Sequence, residues 1–183
     1  MIEPAPGILL IADPFLKDPN FMRTVVLICD HQNEGSIGFV LNKKFEQTMD
    51  QLLVNFEDQP LPVYYGGPVQ TDTIHFLHQY PSLITGGKEV AEGIFWGGDF
   101  GILTTMIKNK KIDFNKVRFF IGYSGWGKKQ LNKEMTEKTW LTVSATQQLI
   151  FHPQTDEIWK DSLRHLGGEY EMMINFPIDP QLN

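Results

Sequence analysis

The sequence lacks the features that would place a chain outside a reducing compartment or in a membrane. Cys29 is its one cysteine, so the chain cannot form an internal disulfide, which is typical of a reducing compartment. The apolar N-terminal stretch has no positively charged region and is interrupted by Pro4, Pro6 and Pro14, unlike a secretory signal. No apolar run approaches the roughly 18 residues that a membrane-spanning helix needs. We therefore expect a cytoplasmic protein with no membrane segment.

The sequence is also short of positive charge, with 16 Lys and Arg against 22 Asp and Glu and a net charge of −6. A net-acidic chain repels phosphate backbones unless its lysines cluster on one face. Two short clusters occur, Lys108, Lys110 and Lys111 in one and Lys128, Lys129 and Lys133 in the other. Such runs more often lie on a solvated helix face. The composition argues against direct nucleic-acid binding, which stays open only as an alternative.

Metal-binding patterns are missing as well, since neither C-x-x-C nor H-E-x-x-H occurs. His75 and His78 are three residues apart on a predicted strand, so their side chains point to opposite faces and cannot bind one ion together. We expect neither a metal nor another cofactor. The partner, whether a protein or a small molecule, stays open.

What the sequence does contain is typical of a globular chain. It is 42% hydrophobic and 21% charged, with 13 Phe and 4 Trp available for a core. Its length of 183 residues suits about one domain, and no internal repeat, linker or low-complexity segment interrupts it. We therefore predict one domain over residues 1–183.

Short apolar and β-branched runs bounded by turn-forming residues predict the strands. They span residues 7–12, 24–29, 36–42, 63–65, 73–78, 89–96 and 140–145, with a further strand beginning at Val117. Residues 30–35 are rich in turn formers, which makes the second and third strands a hairpin. Cys29 ends an apolar strand and is expected to be buried and unreactive.

Three helices are predicted from apolar spacing and end signals. The first spans residues 48–56, because Thr48 and Gln51 match a capping box. The second runs from the cap Asp99 to about Asn109, and the last starts at the cap Thr155 and ends before Gly167. The predicted strands come in runs with hairpin spacing, and the helices are few. This pattern predicts an α+β fold with a mixed, largely antiparallel sheet.

The stretch 117–135 is predicted to form a strand, a glycine-rich turn and a short helix. Its Gly122, Gly127 and Lys128 nearly match the phosphate-binding pattern G-x-x-x-x-G-K-[ST]. The position that should supply a magnesium-binding hydroxyl holds Lys129 instead. Nucleotide hydrolysis is therefore disfavoured.

The same stretch nearly matches a nucleophile elbow, since Gly122, Tyr123 and Ser124 begin the pattern G-x-S-x-G. Trp126 stands where the last glycine is required. A triad would also need a downstream histidine, for which His152 or His165 would have to serve. A hydrolase using the 122–126 turn thus stays an alternative.

A second glycine-rich point, Gly66-Gly67-Pro68, follows the short strand 63–65. Two adjacent glycines allow positive φ or a close approach of the backbone. The sequence leaves open whether this turn cradles a ligand or only connects two strands tightly.

Five ordered blocks of the chain are similar to the YqgE/AlgH family of small bacterial proteins, which are often labelled transcriptional regulators. The blocks are GILLIADPFLKDPNFMRTVVLICDH, NEGSIGFVLNK, YYGGPVQTDTIHFLH, GYSGWGKKQLNKEM with Trp140-Leu141, and IFHPQTDEIWKDSLRHLGG. The resemblance implies an α+β domain whose bifurcated sheet folds into a flattened pseudo-barrel with flanking helices. It carries over no catalytic residue. The chain departs from many relatives at Asn132, where they have an acidic residue, and in its tail, EMMINFPIDPQLN.

These observations predict a non-enzymatic cytoplasmic protein with a binding or regulatory role. Its candidate binding residues gather polar and aromatic groups on the glycine-rich turns and the helix after them. They are Gly66, Gly67, Pro68, Tyr123, Trp126, Gln130 and Glu134. Gln130 and Glu134 are four apart and share a helix face. The alternative is that Trp126 is a core residue and Gln130 a helix cap.

Overall fold

Residues 2–178, which the computed structural model describes, contain nine strands that form one curled sheet. The strands are β1 (Ile8–Ala12), β2 (Val25–Gln32), β3 (Gly35–Val40), β4 (Val63–Tyr65), β5 (Val69–His78), β6 (Lys88–Ala91), β7 (Ile94–Trp96), β8 (Val117–Gly127) and β9 (Trp140–Ser144). Their order is β6-β7-β5-β8-β3-β2-β1-β9, and β4 lies beside β8. The β4–β8 pair is parallel and the other pairs are antiparallel. The predicted fold class is thereby confirmed.

The helices flank this sheet. They are α1 (Met49–Leu52), α2 (Phe100–Lys108), α3 (Gln130–Thr136), α4 (Gln147–Ile150), α5 (Ile158–Leu166) and α6 (Glu169–Met173). Three 3-10 turns lie at Val54–Phe56, Phe114–Lys116 and Thr155–Glu157. None of the helices within 2–178 is long and apolar enough to cross a membrane.

Two of the predicted helix caps are found in the structure, and the third is not. Gln51 Oε1 accepts a hydrogen bond from Thr48 N at 3.0 Å, and Asp99 Oδ1 accepts one from Ile102 N at 3.0 Å, as the caps predicted. The first helix is shorter than predicted, because Leu53 is extended and a 3-10 turn follows it. The predicted cap Thr155 is also wrong for α5, since it opens a 3-10 turn before the helix begins at Ile158.

The long strand β8 joins the two halves of the sheet. Its first part, up to Tyr123, pairs with β4 and β5, and its last part, Ser124 to Gly127, pairs with β3. Gly122, near the end of the first part, interrupts the pleat with a φ of +64°, and this bulge reverses which side chains face inward. Before it, Phe120 faces the inner core, and after it Tyr123 does. The turn predicted over 122–126 is therefore wrong: these residues continue the strand.

The sheet is buried on both faces, which is why its central strands are almost uninterrupted apolar runs. Along β1, Leu9 and Ile11 pack in the inner core, whereas Leu10 and Ala12 pack under α3. Residues 25–29 of β2 are all fully buried, as their composition predicts. A third cluster packs α2 against the other side of β8.

The curled sheet forms a half-barrel that α5 closes. Trp159 of α5 packs in the inner core, and its Nε1 donates a hydrogen bond to Ala12 O at 2.9 Å. Across the open side, Lys88 of β6 reaches Asp30 of β2 in an ion pair. These contacts confirm the predicted barrel-like sheet with flanking helices.

The one strand predicted over 89–96 is wrong in its extent, because the structure divides it into β6 and β7. The chain reverses at Gly93, whose φ of +71° suits a tight turn. Glu89 Oε1 accepts a hydrogen bond from Gly93 N at 3.1 Å and supports the reversal.

Cys29 lies fully buried in the inner core, as predicted. Burial raises the pKa of its thiol, so the reactive thiolate is disfavoured. We expect the folded protein to react with a thiol reagent at least about a hundredfold more slowly than free cysteine, because reaction must wait for opening of the core. The same reagent should modify Cys29 completely in concentrated urea. Rapid modification of the folded protein would contradict this burial.

Candidate functional site

Two adjoining clefts open where the tip of the β2–β3 hairpin, the end of β8 and the start of α3 meet. The larger, here called the α3 cleft, has a volume of about 580 Å³. It is lined by His31, Gln32, Asn33, Glu34, Gly35, Ser36, Gly127, Lys128, Lys129, Leu131 and Asn132. The smaller, here called the mouth cleft, has a volume of about 430 Å³. It is lined by Asp30, Gln32, Glu34, Gly35, Ser36, Ile37, Val69, Tyr123, Gly125 and Trp126.

Strand register decides which side chains face each cleft. His31 lies opposite Ser36 on the hairpin, and Ser36 lies opposite Trp126 on β8, so these three share the face that α3 covers. Alternate residues point the other way, and there Ile37 lies opposite Gly125. The hairpin tip thus separates the polar α3 cleft from the more apolar mouth cleft.

A serine–histidine contact lies in the α3 cleft. His31 Nδ1 is 2.7 Å from Ser36 Oγ, with Ser36 buried and His31 half-buried. A catalytic serine needs such a base, and the base in turn needs a group that orients it. Within 2–178, the hydrogen bond to Ser36 is the one that His31 makes, and no carboxylate orients its ring. We interpret the pair as cross-strand packing that lines the cleft with polar atoms.

Two adjacent lysines bring positive charge to the α3 cleft. Lys129 directly precedes α3 and has a φ of 60°, a conformation that costs a residue other than glycine about 1–2 kcal/mol. Its side chain does not cap the helix. The ion pairs found in residues 2–178 include neither Lys128 nor Lys129.

Glu134 of α3 holds the helix against the sheet. Its Oε2 accepts hydrogen bonds from Trp126 Nε1 at 2.9 Å and Trp140 Nε1 at 2.8 Å. Its Oε1 accepts one from Gln130 Nε2 at 2.9 Å, and Gln130 Oε1 accepts one from Gly127 N at 3.0 Å. The polar groups of this cluster are therefore used within the protein.

The Gly66-Gly67 turn lies tightly on β8. A Cβ at Gly67 would lie 2.3 Å from the carbonyl carbon of Tyr123, and one at Gly66 would lie 2.5 Å from Gly122 O. Gly66 N also donates to Ile121 O at 2.9 Å. Of the two interpretations left open by the sequence, the structure shows the tight connection between strands.

The structure brings together only some of the predicted binding residues. Tyr123 and Trp126 line the mouth cleft. Gln130 and Glu134 belong instead to the hydrogen-bonded cluster under α3. Gly66 and Gly67 are buried against β8, whereas Pro68 is exposed. Tyr123 and Trp126 also point to opposite faces, since one packs on the inner core and the other under α3.

The geometry of a nucleophile elbow is absent from β8. Ser124 is fully buried and its Oγ donates to Gly66 O at 3.0 Å, so the hydroxyl is neither exposed nor held by a base. The nominated His152 is engaged elsewhere, with Nε2 donating to Asp161 at 2.7 Å and Nδ1 accepting from Gln154 N at 3.0 Å. His165 lies in the last turn of α5.

The residues that resemble a phosphate-binding loop are extended in β8 rather than wrapped into a loop. Gly122 forms the bulge within β8, and Lys128 lies beyond the strand end. The backbone amides therefore cannot surround a phosphate as that motif requires.

His78 is fully buried, and its Nε2 donates to Gly97 O at 2.8 Å while its Nδ1 accepts from Tyr80 N at 3.1 Å. Burial lowers the pKa of both His78 and the half-buried His75. Over the described range 2–178, no three His, Cys, Asp or Glu side chains gather where they could hold a metal ion.

Several cleft residues were not predicted as functional. His31, Glu34 and Ser36 fell within the hairpin signal, and Asn132 was noted only as a departure from relatives. They come together because β8 places residues about 90 positions apart side by side. The polar turn and the lysine pair are far apart in the sequence. They indicate a shared site only when the strand pairing is known.

Comparison with known proteins gives consistent matches along nearly the whole chain. A family model described as AlgH-like matches residues 9–171. A UPF0301 protein of Chlorobium limicola is 44% identical over 178 residues, which is 97% of this chain and 95% of that protein. A UPF0301 protein of Cytophaga hutchinsonii is 36% identical over 181 residues, covering 97% of this chain and 98% of its own.

Two solved structures are similar to this chain. The solution structure of AlgH from Pseudomonas aeruginosa is 26% identical with a TM-score of 0.72, and the match covers 97% of this chain and 98% of that one. A crystal structure from Corynebacterium diphtheriae has a TM-score of 0.78 over 96% of this chain and 94% of its own. At 21% identity, the second structure supports the fold alone.

Proposed function

The chain belongs to the AlgH-like family, and from that membership we propose that it is a non-enzymatic regulatory protein that binds a small anion in the α3 cleft. The names of its relatives specify no reaction. We further propose that residues 1–183 form one domain and that the protein acts in the cytoplasm. The single, buried free cysteine supports a reducing compartment.

The observation that carries the proposal is the unpaired charge of Lys128 and Lys129 in a cleft of about 580 Å³. Both side chains are exposed, and the ion pairs of 2–178 include neither of them. Lysine ammonium groups bind phosphate and carboxylate as point charges. An anion would supply the missing partner.

The conformation of Lys129 supports the same site. A glycine or asparagine would adopt its φ of 60° with less strain. Strained residues cluster at functional sites because the strain persists only where the surroundings hold it. The lysine at this position keeps a positive charge at the cleft despite its conformational cost.

Besides the carboxylate of Glu34, the lining offers neutral hydrogen-bond partners. Asn132 can donate through its amide, and the His31–Ser36 pair places polar atoms at the cleft wall. A ligand held this way would alter how the hairpin tip and α3 meet a protein partner. Direct contact with DNA is not part of the proposal, because the net charge of −6 repels phosphate backbones.

The test is calorimetric titration with inorganic triphosphate at about 0.15 M salt, where interactions of exposed charges are screened beyond roughly 8 Å. Replacing the pair as Lys128→Gln and Lys129→Asn should weaken binding by about tenfold or more, because each bond to a charged group is worth about 1.5–3 kcal/mol. Asparagine is chosen since it tolerates left-handed backbone.

The matched control is Lys108→Gln at the last residue of α2 and Lys110→Asn just beyond it, where the φ of 54° resembles that of Lys129. It changes the net charge equally. We expect the control to bind triphosphate within about twofold of the unaltered protein, because long-range electrostatics are weak once screened. Equal losses in both double variants would mean that triphosphate responds to overall charge and would reject the site.

A further inference from the structure

The two clefts adjoin at the hairpin tip, which both of them share. Four residues line both of them, Gln32, Glu34, Gly35 and Ser36. A ligand whose anionic group lies at Lys128 and Lys129 can therefore extend past the tip into the mouth cleft. The residues that line the mouth cleft therefore indicate which chemical group the rest of that ligand carries.

The mouth cleft has an aromatic and aliphatic floor. Tyr123 and Val69 line it from β8 and β5, and they lie opposite each other in the sheet. The Tyr123 ring is held from below by His75 in an edge-to-face contact, with ring centroids 6.0 Å apart at 88°. His75 packs in turn on Phe39, at a centroid distance of 5.1 Å. The ring is thus fixed in place while its side chain remains half-exposed.

Gly125 keeps the space above this floor open. A Cβ at Gly125 would lie 3.6 Å from Tyr123 Cε2 and 3.7 Å from Val69 Cγ2, which are ordinary contact distances. Its φ lies outside the left-handed region, so neither backbone nor close packing requires glycine here. Glycine inside a strand is destabilising, and it marks places where a ligand approaches closely.

Gly125 differs in this respect from Gly67 and Gly122. At Gly67 a side chain would overlap backbone atoms at 2.3 Å, and at Gly122 the φ of +64° itself favours glycine. Those glycines are explained by the fold. No such constraint explains the glycine at position 125, which leaves an open surface beside Tyr123.

From this arrangement we infer that the ligand carries a flat aromatic ring joined to its anionic group, and that the ring stacks on Tyr123 in the space left by Gly125. Flat rings stack on aromatic side chains in offset arrangements, and nucleobases do so on tyrosine. Glu34, at the junction of the clefts, offers an acceptor for an amino group on the ring. The inference rests on the proposed anion site and specifies the class of its ligand.

The experiment compares two probes with the same anion, inorganic triphosphate and adenosine triphosphate, by calorimetric titration without divalent metal. We expect the unaltered protein to bind the nucleotide about tenfold or more tightly than triphosphate, which corresponds to one stacked base. Tyr123→Leu should remove this difference and leave triphosphate binding unchanged, whereas Tyr123→Phe should retain the difference because it keeps the ring.

Gly125→Val provides an independent variant, since it fills the space above Tyr123 with a residue that favours strands. It too should abolish the preference for the nucleotide without affecting triphosphate. Equal affinity of the unaltered protein for both probes would overturn the inference and leave the anion site standing. Binding of neither probe would overturn both, and a preference that survives both Tyr123→Leu and Gly125→Val would place the ring elsewhere.

Discussion

Replacing Gly67 with alanine is expected to lower the free energy of unfolding by about 4 kcal/mol or more. Losses of this size are exceptional and arise from severe conflicts such as overlap with the backbone. The new Cβ would lie 2.3 Å from both the carbonyl carbon and the oxygen of Tyr123 and 2.4 Å from Ser124 N. These are backbone atoms of the strand that joins both halves of the sheet, so they cannot move aside as a flexible side chain would. Urea unfolding followed by tryptophan fluorescence gives the value.

The matched control is Gly97→Ala. Gly97 also has a positive φ, +72°, but a Cβ there would meet nothing within 4 Å. Its replacement should cost only the conformational strain of about 1–2 kcal/mol. If both variants lost the same stability, close packing of the Gly66-Gly67 turn would not be the reason for its glycines.

The second large effect is expected at Glu134. Glu134→Ala removes the acceptor of two indole N–H groups, from Trp126 and Trp140, and leaves both donors without their partner in a largely buried cluster. A bond to a charged group contributes about 1.5–3 kcal/mol, so we expect a loss of about 3 kcal/mol. The near-ultraviolet circular dichroism of the tryptophans should change as well, because Glu134 fixes both rings.

Glu137→Ala is the control on the same helix. Glu137 is paired with Lys133 at 3.7 Å, and both side chains are more than half exposed, so its removal should cost at most about 0.5 kcal/mol. A similar small loss in Glu134→Ala would show that the tryptophans pack under α3 without needing the carboxylate.

The sequence predicted those parts of the fold that local signals determine. These parts are the hairpin of β2 and β3, the brief β4 and the capped helix α2. Nearby residues mark where each begins or ends, such as the turn formers after Asp30 and the cap Asp99. The resemblance to the AlgH-like family then supplied the barrel-like shape, which local patterns do not contain.

Other features depend on distant contacts, which local patterns do not contain. The local sequence predicts a turn at Gly122. The structure places Gly122 within a strand, because β8 pairs with β5 on one side and with β3 on the other. The cluster under α3 also depends on such contacts, because Glu134 accepts hydrogen bonds from both Trp126 and Trp140, and a ligand-binding role for Trp126 and Glu134 stays a prediction. The clefts were not foreseen because they arise where the hairpin tip meets the end of β8.

The central position of β8 has a consequence for the order of events during synthesis. Its partners β3, β4 and β5 lie between residues 35 and 78, whereas β8 begins at residue 117. During synthesis these three strands leave the ribosome first. The backbone edges that later pair with β8 stay unpaired until residues 117–127 follow. β4 depends on β8 for its strand partner. Such delayed, non-local pairing slows folding and exposes edges that favour aggregation, so nascent chains ending before residue 127 should be the form most in need of a chaperone.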